Sequence, residues 1–268
     1  MRSLLFLVVA LMLAGCGAAS PATPAEPGSA SPPAASTLPS ADVTLHTDLV
    51  VRQLSPNVLL HVSWKELPEW GRVSSNGLVV LGAREALLVD TTWDDAGTAL
   101  LLDHVEAAHG RRVTHAIVTH SHDDRMGGIR EAQRRGITVH GLALTATRAV
   151  AAGEPPPSET FASETTLRVD GVRAEAFFPG AAHAPDNLVV WLPDEHVLFG
   201  TCMVREQAGT SVGNLADASL ETWEAALAAV RARVPAPRVV VPGHGEPGDA
   251  GADQRDAAKR LHPLRDDA

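Results

Sequence analysis

The chain has 268 residues, 45% hydrophobic and 20% charged, a balance that supports a buried core and excludes a wholly disordered protein. Lys and Arg number 22 against 32 Asp and Glu, a net charge of −10, which argues against nucleic acid as the main partner because phosphates require basic grooves. The length suits one large domain or two small ones.

In chain order, Arg2 followed by the apolar run Leu4–Leu13 reads as a secretory signal peptide over residues 1–15, too short to span a bilayer. Leu13-Ala14-Gly15-Cys16 resembles a bacterial lipobox, which makes Cys16 the lipidated first residue of the mature protein. Gly17 in place of Asp then implies the outer membrane, facing the periplasm, with the lipid anchor as the sole membrane contact. Residues 16–40 are rich in Pro, Ala and Ser and read as a tether, leaving 41–268 as the folded domain.

Leu78–Leu81 and Ala86–Val89 read as paired strands around a Gly82 turn. Ala96–His109 carries apolar residues at helical spacing and stops at Gly110. A strand at His115–Thr119, a short helix at Gly128–Arg135 and a strand at Ile137–His140 follow. Asp170-Gly171 marks a hairpin between Thr165–Val169 and Val172–Phe178, and Pro193-Asp194 another between Leu188–Leu192 and His196–Phe199. Ser219 is placed to cap a helix running to Val230, Arg238–Val241 is a last strand, and Asp253–Leu261 reads as helical. Strands in two batches with helices between them predict an α/β layered domain, with helices outside a two-sheet core.

The chemistry concentrates at strand ends. In His120-Ser121-His122-Asp123-Asp124-Arg125, extended backbone points His120 and His122 the same way, and Asp124 follows where the chain turns. Imidazole and carboxylate suit zinc. His183, Cys202 and His244 each adjoin a further strand, so six candidate ligands share strand termini. With Cys16 acylated, Cys202 has no disulfide partner, and metal binding gives its thiol a task.

His-x-His-x-Asp followed by His183, Cys202 and His244 resembles a class B metallo-β-lactamase of the first, dizinc subclass, in its lipoprotein form. Ser75-Asn76-Gly77, Asp90-Thr91-Thr92-Trp93, Asp186-Asn187 and Gly213-Asn214-Leu215-Ala216-Asp217-Ala218 extend the likeness across residues 45–250. The resemblance implies a four-layer αββα sandwich with the metal site at one edge of the paired sheets. It implies two zinc ions per chain, one on His120, His122 and His183, the other on Asp124, Cys202 and His244. The implied activity is hydrolysis of the β-lactam amide bond of penicillins, cephalosporins and carbapenems by a zinc-activated hydroxide, conferring antibiotic resistance.

In that reading Asn214 donates to the developing oxyanion, Asp124 passes a proton to the leaving nitrogen, and Arg205 pairs with the substrate carboxylate where relatives commonly carry Lys. Trp64 and Trp70 lie in a segment matching the family's mobile hairpin, Trp93 lines the cavity, and Asp90 and Arg125 orient the ligands from outside the coordination sphere. His61, His115, His140 and His196 match no ligand position. The stretch Leu142–Glu164, with Pro155-Pro156-Pro157, leaves one wall of the groove undefined, and Gly-Ala-Ala stands before His183 where relatives often have Gly-Pro-Gly. Two rivals are another hydrolase of the broad fold (a thioesterase, lactonase or nuclease) and a zinc-binding lipoprotein without catalysis. The first customarily has His after the Asp, where this chain has Arg125; the second gives Asn214 and Arg205 no task. A tethered monomer is the simplest assembly.

Overall fold

Eight strands form the first sheet, and they lie side by side in the order in which the chain makes them. The computed structural model describes residues 42–206 and 213–249. The expected signal peptide, the lipidated Cys16, the tether and the helix at Asp253–Leu261 lie outside the described residues.

The first sheet comprises β1 (Val43–His46), β2 (Leu49–Ser55), β3 (Val58–Leu67), β4 (Gly71–Leu81), β5 (Glu85–Val89), β6 (Arg112–Ile117), β7 (Thr138–Leu142) and β8 (Glu159–Phe161). Strands β1 to β5 pair antiparallel, and β5 to β8 pair parallel through α1 (Asp95–His109), the short α2 (Asp123–Met126) and α3 (Ile129–Arg134), and α4 (Ala143–Ala151). The second sheet holds β9 (Glu164–Val169), β10 (Val172–Phe177), β11 (Val189–Leu192), β12 (Val197–Thr201), β13 (Val239–Pro242) and β14 (Gly248–Asp249), with α5 (Leu220–Arg233) crossing from β12 to the parallel β13.

Three buried clusters define four layers. Leu60, Leu78, Leu87 and Ile117 of the first sheet meet Ala174, Val190, Phe199 and Val241 of the second. On the outer face of the first sheet, Leu59, Val79, Leu88 and Val139 pack on Leu101, Val105 and Ile129 of α1 and α3. On the outer face of the second, Val189, Trp191 and Leu198 pack on Trp223, Leu227 and Val230 of α5. This is the expected αββα sandwich. Because both faces of each sheet are covered, runs such as Leu78-Val79-Val80 are apolar throughout and send alternate side chains into different layers.

Local signals act as their chemistry requires. Asp94 Oδ1 accepts from Gly97 N at 2.7 Å to cap α1, and Gly110 ends it at φ 62°. Asp170 and Gly171, at φ 43° and 93°, make the tight turn between β9 and β10. Ser219 does stand at the start of α5, but its side chain makes no capping hydrogen bond. Strands β1 to β3 and helix α4 go beyond the elements that periodicity marks out. No helix among the described residues is long and apolar enough to cross a membrane.

Candidate metal centre

Parallel pairing brings strand C-termini to one edge, and the two sheets meet there. Leu188 N donates to Thr119 O at 2.8 Å and Asn76 N to Gly243 O at 2.9 Å, so backbone bonds join the loops of opposite sheets. His120 and His122 follow β6, His183 precedes β11, Cys202 follows β12 and His244 follows β13.

Each ligand loop is held by a buried polar group. Asp90, at φ 60° after β5, accepts from Thr119 N at 2.7 Å and Thr119 Oγ1 at 2.8 Å, fixing the residue before His120. Asn187 Oδ1 accepts from Ala182 N and Ala184 N at 3.0 and 3.1 Å, closing the loop around His183. Gly243 packs so closely that a Cβ there would stand 2.7 Å from Cys202 Sγ. His244 Nδ1 bonds to Ser74 O, which turns Nε2 toward Cys202. Arg125, fully buried in α2, donates from Nη1 to Asn76 O at 2.6 Å and from Nη2 to Gly243 O at 2.8 Å, so one guanidinium ties both sheets.

The ligand atoms converge. Cys202 Sγ lies 3.3 Å from His244 Nε2 and 3.6 Å from Asp124 Oδ2, and His244 Nε2 lies 3.4 Å from that oxygen. His183 Nε2 lies 3.3 Å from His122 Nδ1. The rings of His120, His122 and His183 meet edge to face, with centroids 4.7 to 5.2 Å apart. His120 links the two groups, sharing one ligand cluster with His183 and Cys202 and another with His122 and Asp124. Donors at about 2.0–2.3 Å from a tetrahedral ion stand roughly 3.3–3.8 Å apart, and the four separations just given fall in that range. His120 Nε2 is buried without any hydrogen-bond partner, a cost that a metal bond would remove. The donor set fits a transition metal of the zinc type.

Residues 70–244 match the family model described as the metallo-beta-lactamase superfamily. A metallo-beta-lactamase type 2 of Bacteroides fragilis is 39% identical over 206 residues, covering 77% of this chain and 83% of the relative. One from Bacillus cereus is 40% identical over 203 residues, covering 75% and 78%. The chain belongs to the metallo-beta-lactamase superfamily. Among solved structures, a metallo-beta-lactamase from Pontibacter korlensis superposes with a TM-score of 0.73 at 37% identity, covering 80% of this chain and 98% of that one.

The electrostatics of this metallo-beta-lactamase site favour neutral imidazoles. Burial, then the neighbouring histidines, pushes His120 well below its ordinary value, and burial brings His183 to about 3 and His244 to about 4. All three therefore offer lone pairs at neutral pH. Burial works against a charge on Asp124, but the Arg125 guanidinium outweighs it and holds the carboxyl below the usual range. Burial pushes the Cys202 thiol up, so a coordinated dication is what would make it a thiolate. Burial raises Asp90 to about 7 against the opposing pull of Arg125.

The remaining expected site residues fall in different places. Trp93 lines a cleft beside His122 together with Ser121, Asp123, Met126 and Glu154, and Lys65 Nζ lies 5.5 Å from its ring. Trp64 packs under the Arg72 guanidinium at 5.1 Å, and Trp70, 51% exposed, tips the β3–β4 hairpin. The Arg205 guanidinium lies against Gly213, where a Cβ would come within 2.8 Å of Nη2. Asn214 is exposed, and its Oδ1 accepts from Ala216 N at 2.9 Å.

Sequence reasoning missed two contributors. Asp217 Oδ2 lies 2.9 Å from His122 Nε2, and Arg148 of α4 bonds to that same oxygen. Asp217 falls within the Gly213–Ala218 segment that resembles the family, whereas nothing in the sequence around Arg148 marks it.

Proposed function

We propose that this chain hydrolyses the amide bond of β-lactam antibiotics with two zinc ions, conferring resistance to them. The observation that carries the reading is three overlapping ligand groups at one sheet edge, one of them Asp124, Cys202 and His244, beside the edge-to-face cluster of His120, His122 and His183. His120, His122 and His183 would hold one ion, and Asp124, Cys202 and His244 the other. Zinc held there supplies Lewis acidity and a hydroxide nucleophile at neutral pH, so no protein nucleophile is required.

The chain's own residues then have separate tasks. Asn214 Oδ1 is engaged with Ala216 N, which leaves its amide N–H groups to donate to the developing oxyanion. Arg205 pairs with the substrate carboxylate, its planar fork suiting bidentate recognition. Asp124, held ionised by Arg125, would serve as a metal-facing carboxylate, which leaves it a poor store for the proton that the departing lactam nitrogen needs. Trp93, Trp64 and Trp70 offer apolar cover for the substrate. Cys16 anchors the chain to the outer membrane, facing the periplasm, and the tethered protein acts as a monomer.

The test is hydrolysis of a carbapenem and a chromogenic cephalosporin by the purified protein with zinc, after chelation, and after zinc is restored. Turnover that vanishes with chelator and returns with zinc supports the proposal. A folded, zinc-loaded protein that cleaves neither substrate rejects it, and thioesters, lactones and phosphodiesters become the next substrates to try. For the anchor, a Cys16→Ala variant that still fractionates with membranes would reject lipidation at that residue.

A further inference from the structure

Arg148 stands on α4, which joins β7 to β8 and contributes none of the six ligands. Its half-buried side chain nevertheless reaches three segments of the centre. Nε donates to Ser121 Oγ at 2.9 Å, between His120 and His122. The same nitrogen lies 3.4 Å from Oδ1 of Asp186, a fully buried carboxylate three residues after His183. That Oδ1 has no hydrogen-bond partner, while Oδ2 accepts from Ser121 N at 2.9 Å. Nη2 donates to Asp217 Oδ2, the atom that lies 2.9 Å from His122 Nε2.

Hydrogen-bond arithmetic then sets the His122 ring. A carboxylate oxygen that accepts from Arg148 accepts from His122 as well, so Nε2 carries the ring hydrogen. The lone pair is left on Nδ1, which faces His183 Nε2 at 3.3 Å. A ligand histidine that donates its second nitrogen to a carboxylate is fixed in tautomer and orientation. Here that carboxylate is itself fixed by a guanidinium from a different element. Arg148 also holds together two loops that carry acidic groups, Asp186 beside His183 and Asp217 beside His122.

We propose that Arg148 is a positioning residue for the His122 ligand. Acting through Asp217 and Ser121, it orients the ring so that Nδ1 meets the metal. The inference rests on the metal-centre reading above for its consequence in binding, but not for its effect on the ring.

Two readouts test it separately. In the metal-free protein, long-range nitrogen–proton NMR reports the His122 tautomer. Wild type should hold the Nε2–H form, and Arg148→Ala should give a mixture. Removing such an outer partner typically weakens metal binding about 10–100-fold. Zinc titration against a chromophoric chelator should therefore show a loss of that order at one site only. In cobalt-substituted protein, the sulfur-to-metal charge-transfer band, which reports Cys202, should saturate as in wild type. Arg148→Lys, which keeps the charge without the fork, should recover part of the loss and serves if Arg148→Ala does not fold. An unchanged tautomer in both variants overturns the proposal, as does equal weakening of both sites or of neither. A wild type that binds no zinc would overturn the metal reading instead, and the tautomer would still decide the role of Arg148.

Discussion

Arg125 donates twice to a single oxygen of Asp124, from Nε at 2.9 Å and Nη2 at 2.7 Å. Neither residue has appreciable exposure, and Arg125 also stands 3.4 Å from Asp90. One guanidinium therefore neutralises a metal-facing carboxylate and the carboxylate that fixes Thr119, while binding carbonyl oxygens from both sheets. Lysine could supply the charge but not the fork.

Arg125→Ala leaves two carboxylates buried without their cation, and removing one partner of a buried pair costs about 3–5 kcal/mol. Urea unfolding of the metal-free variant should show a loss of that order, with Arg125→Lys between it and wild type. A midpoint unchanged in Arg125→Ala would mean that water or another group satisfies Asp124 and Asp90.

His120→Ala and Cys202→Ala should each lower turnover by orders of magnitude, since each removes a donor from the converging cluster. Native mass spectrometry should find fewer zinc ions bound to Cys202→Ala than to wild type. Full activity in Cys202→Ala would end the case for a cysteine-bearing second metal position.

The layers and the ligand cluster were legible because their signals are local. Apolar runs, the Asp170-Gly171 turn, Gly110 and strand-terminal histidines each declare themselves within a few residues. Strand β2 was not legible, because its residues after Val51 are only partly buried and leave no clean alternation. Helix α4 has Leu142 at its N-cap position, a residue whose side chain cannot cap. Arg148 was invisible for another reason: its partners Ser121, Asp186 and Asp217 are distant in sequence, and no spacing rule connects them. Ser219 shows the opposite error, a residue of the right type at the right position whose side chain does not cap.

Arg205→Ala should chiefly raise KM for carboxylate-bearing β-lactams while changing kcat less. A contact made equally in ground and transition states has that kinetic signature. Steady-state kinetics with a carboxylate-bearing cephalosporin and its methyl ester separate the effect, because the ester lacks the charge that Arg205 would pair. An equal rise in KM for acid and ester would place the role of Arg205 in packing against Gly213 instead.

Gly127 adjoins the α2 turn that carries Asp124, and a Cβ there would stand 2.1 Å from Trp93 O and 2.4 Å from Trp93 C. Those are backbone atoms of the loop after β5, so no side-chain rotation relieves the clash. Gly127→Ala should destabilise the fold by roughly 1–3 kcal/mol, the usual range for overpacking. Thermal melts should show it, and zinc affinity should fall because Asp124 shifts with the turn. An unchanged Tm would mean that the α2 turn moves freely against Trp93.

His61 predicts the acid response of the metal-free protein. It is fully buried, and its Nε2 lies 3.2 Å from Asp90 O. Burial, aided by the nearby Arg125 charge, lowers its pKa from 6.5 to about 4. Between those values the unfolded chain binds the proton and the folded chain does not. Its contribution is therefore whole above 6.5 and is lost as pH falls toward 4, reaching about 3 kcal/mol. His183 and His244 shift in the same direction, whereas Asp90, raised to about 7, opposes them across that window. Comparing His61→Gln with wild type isolates one group from the rest. Urea midpoints measured in chelator at about pH 7 and about pH 5 should fall less in the variant than in wild type. Equal declines would show that His61 is already protonated in the fold, or that the Asp90 carbonyl supports the charged ring better than burial opposes it.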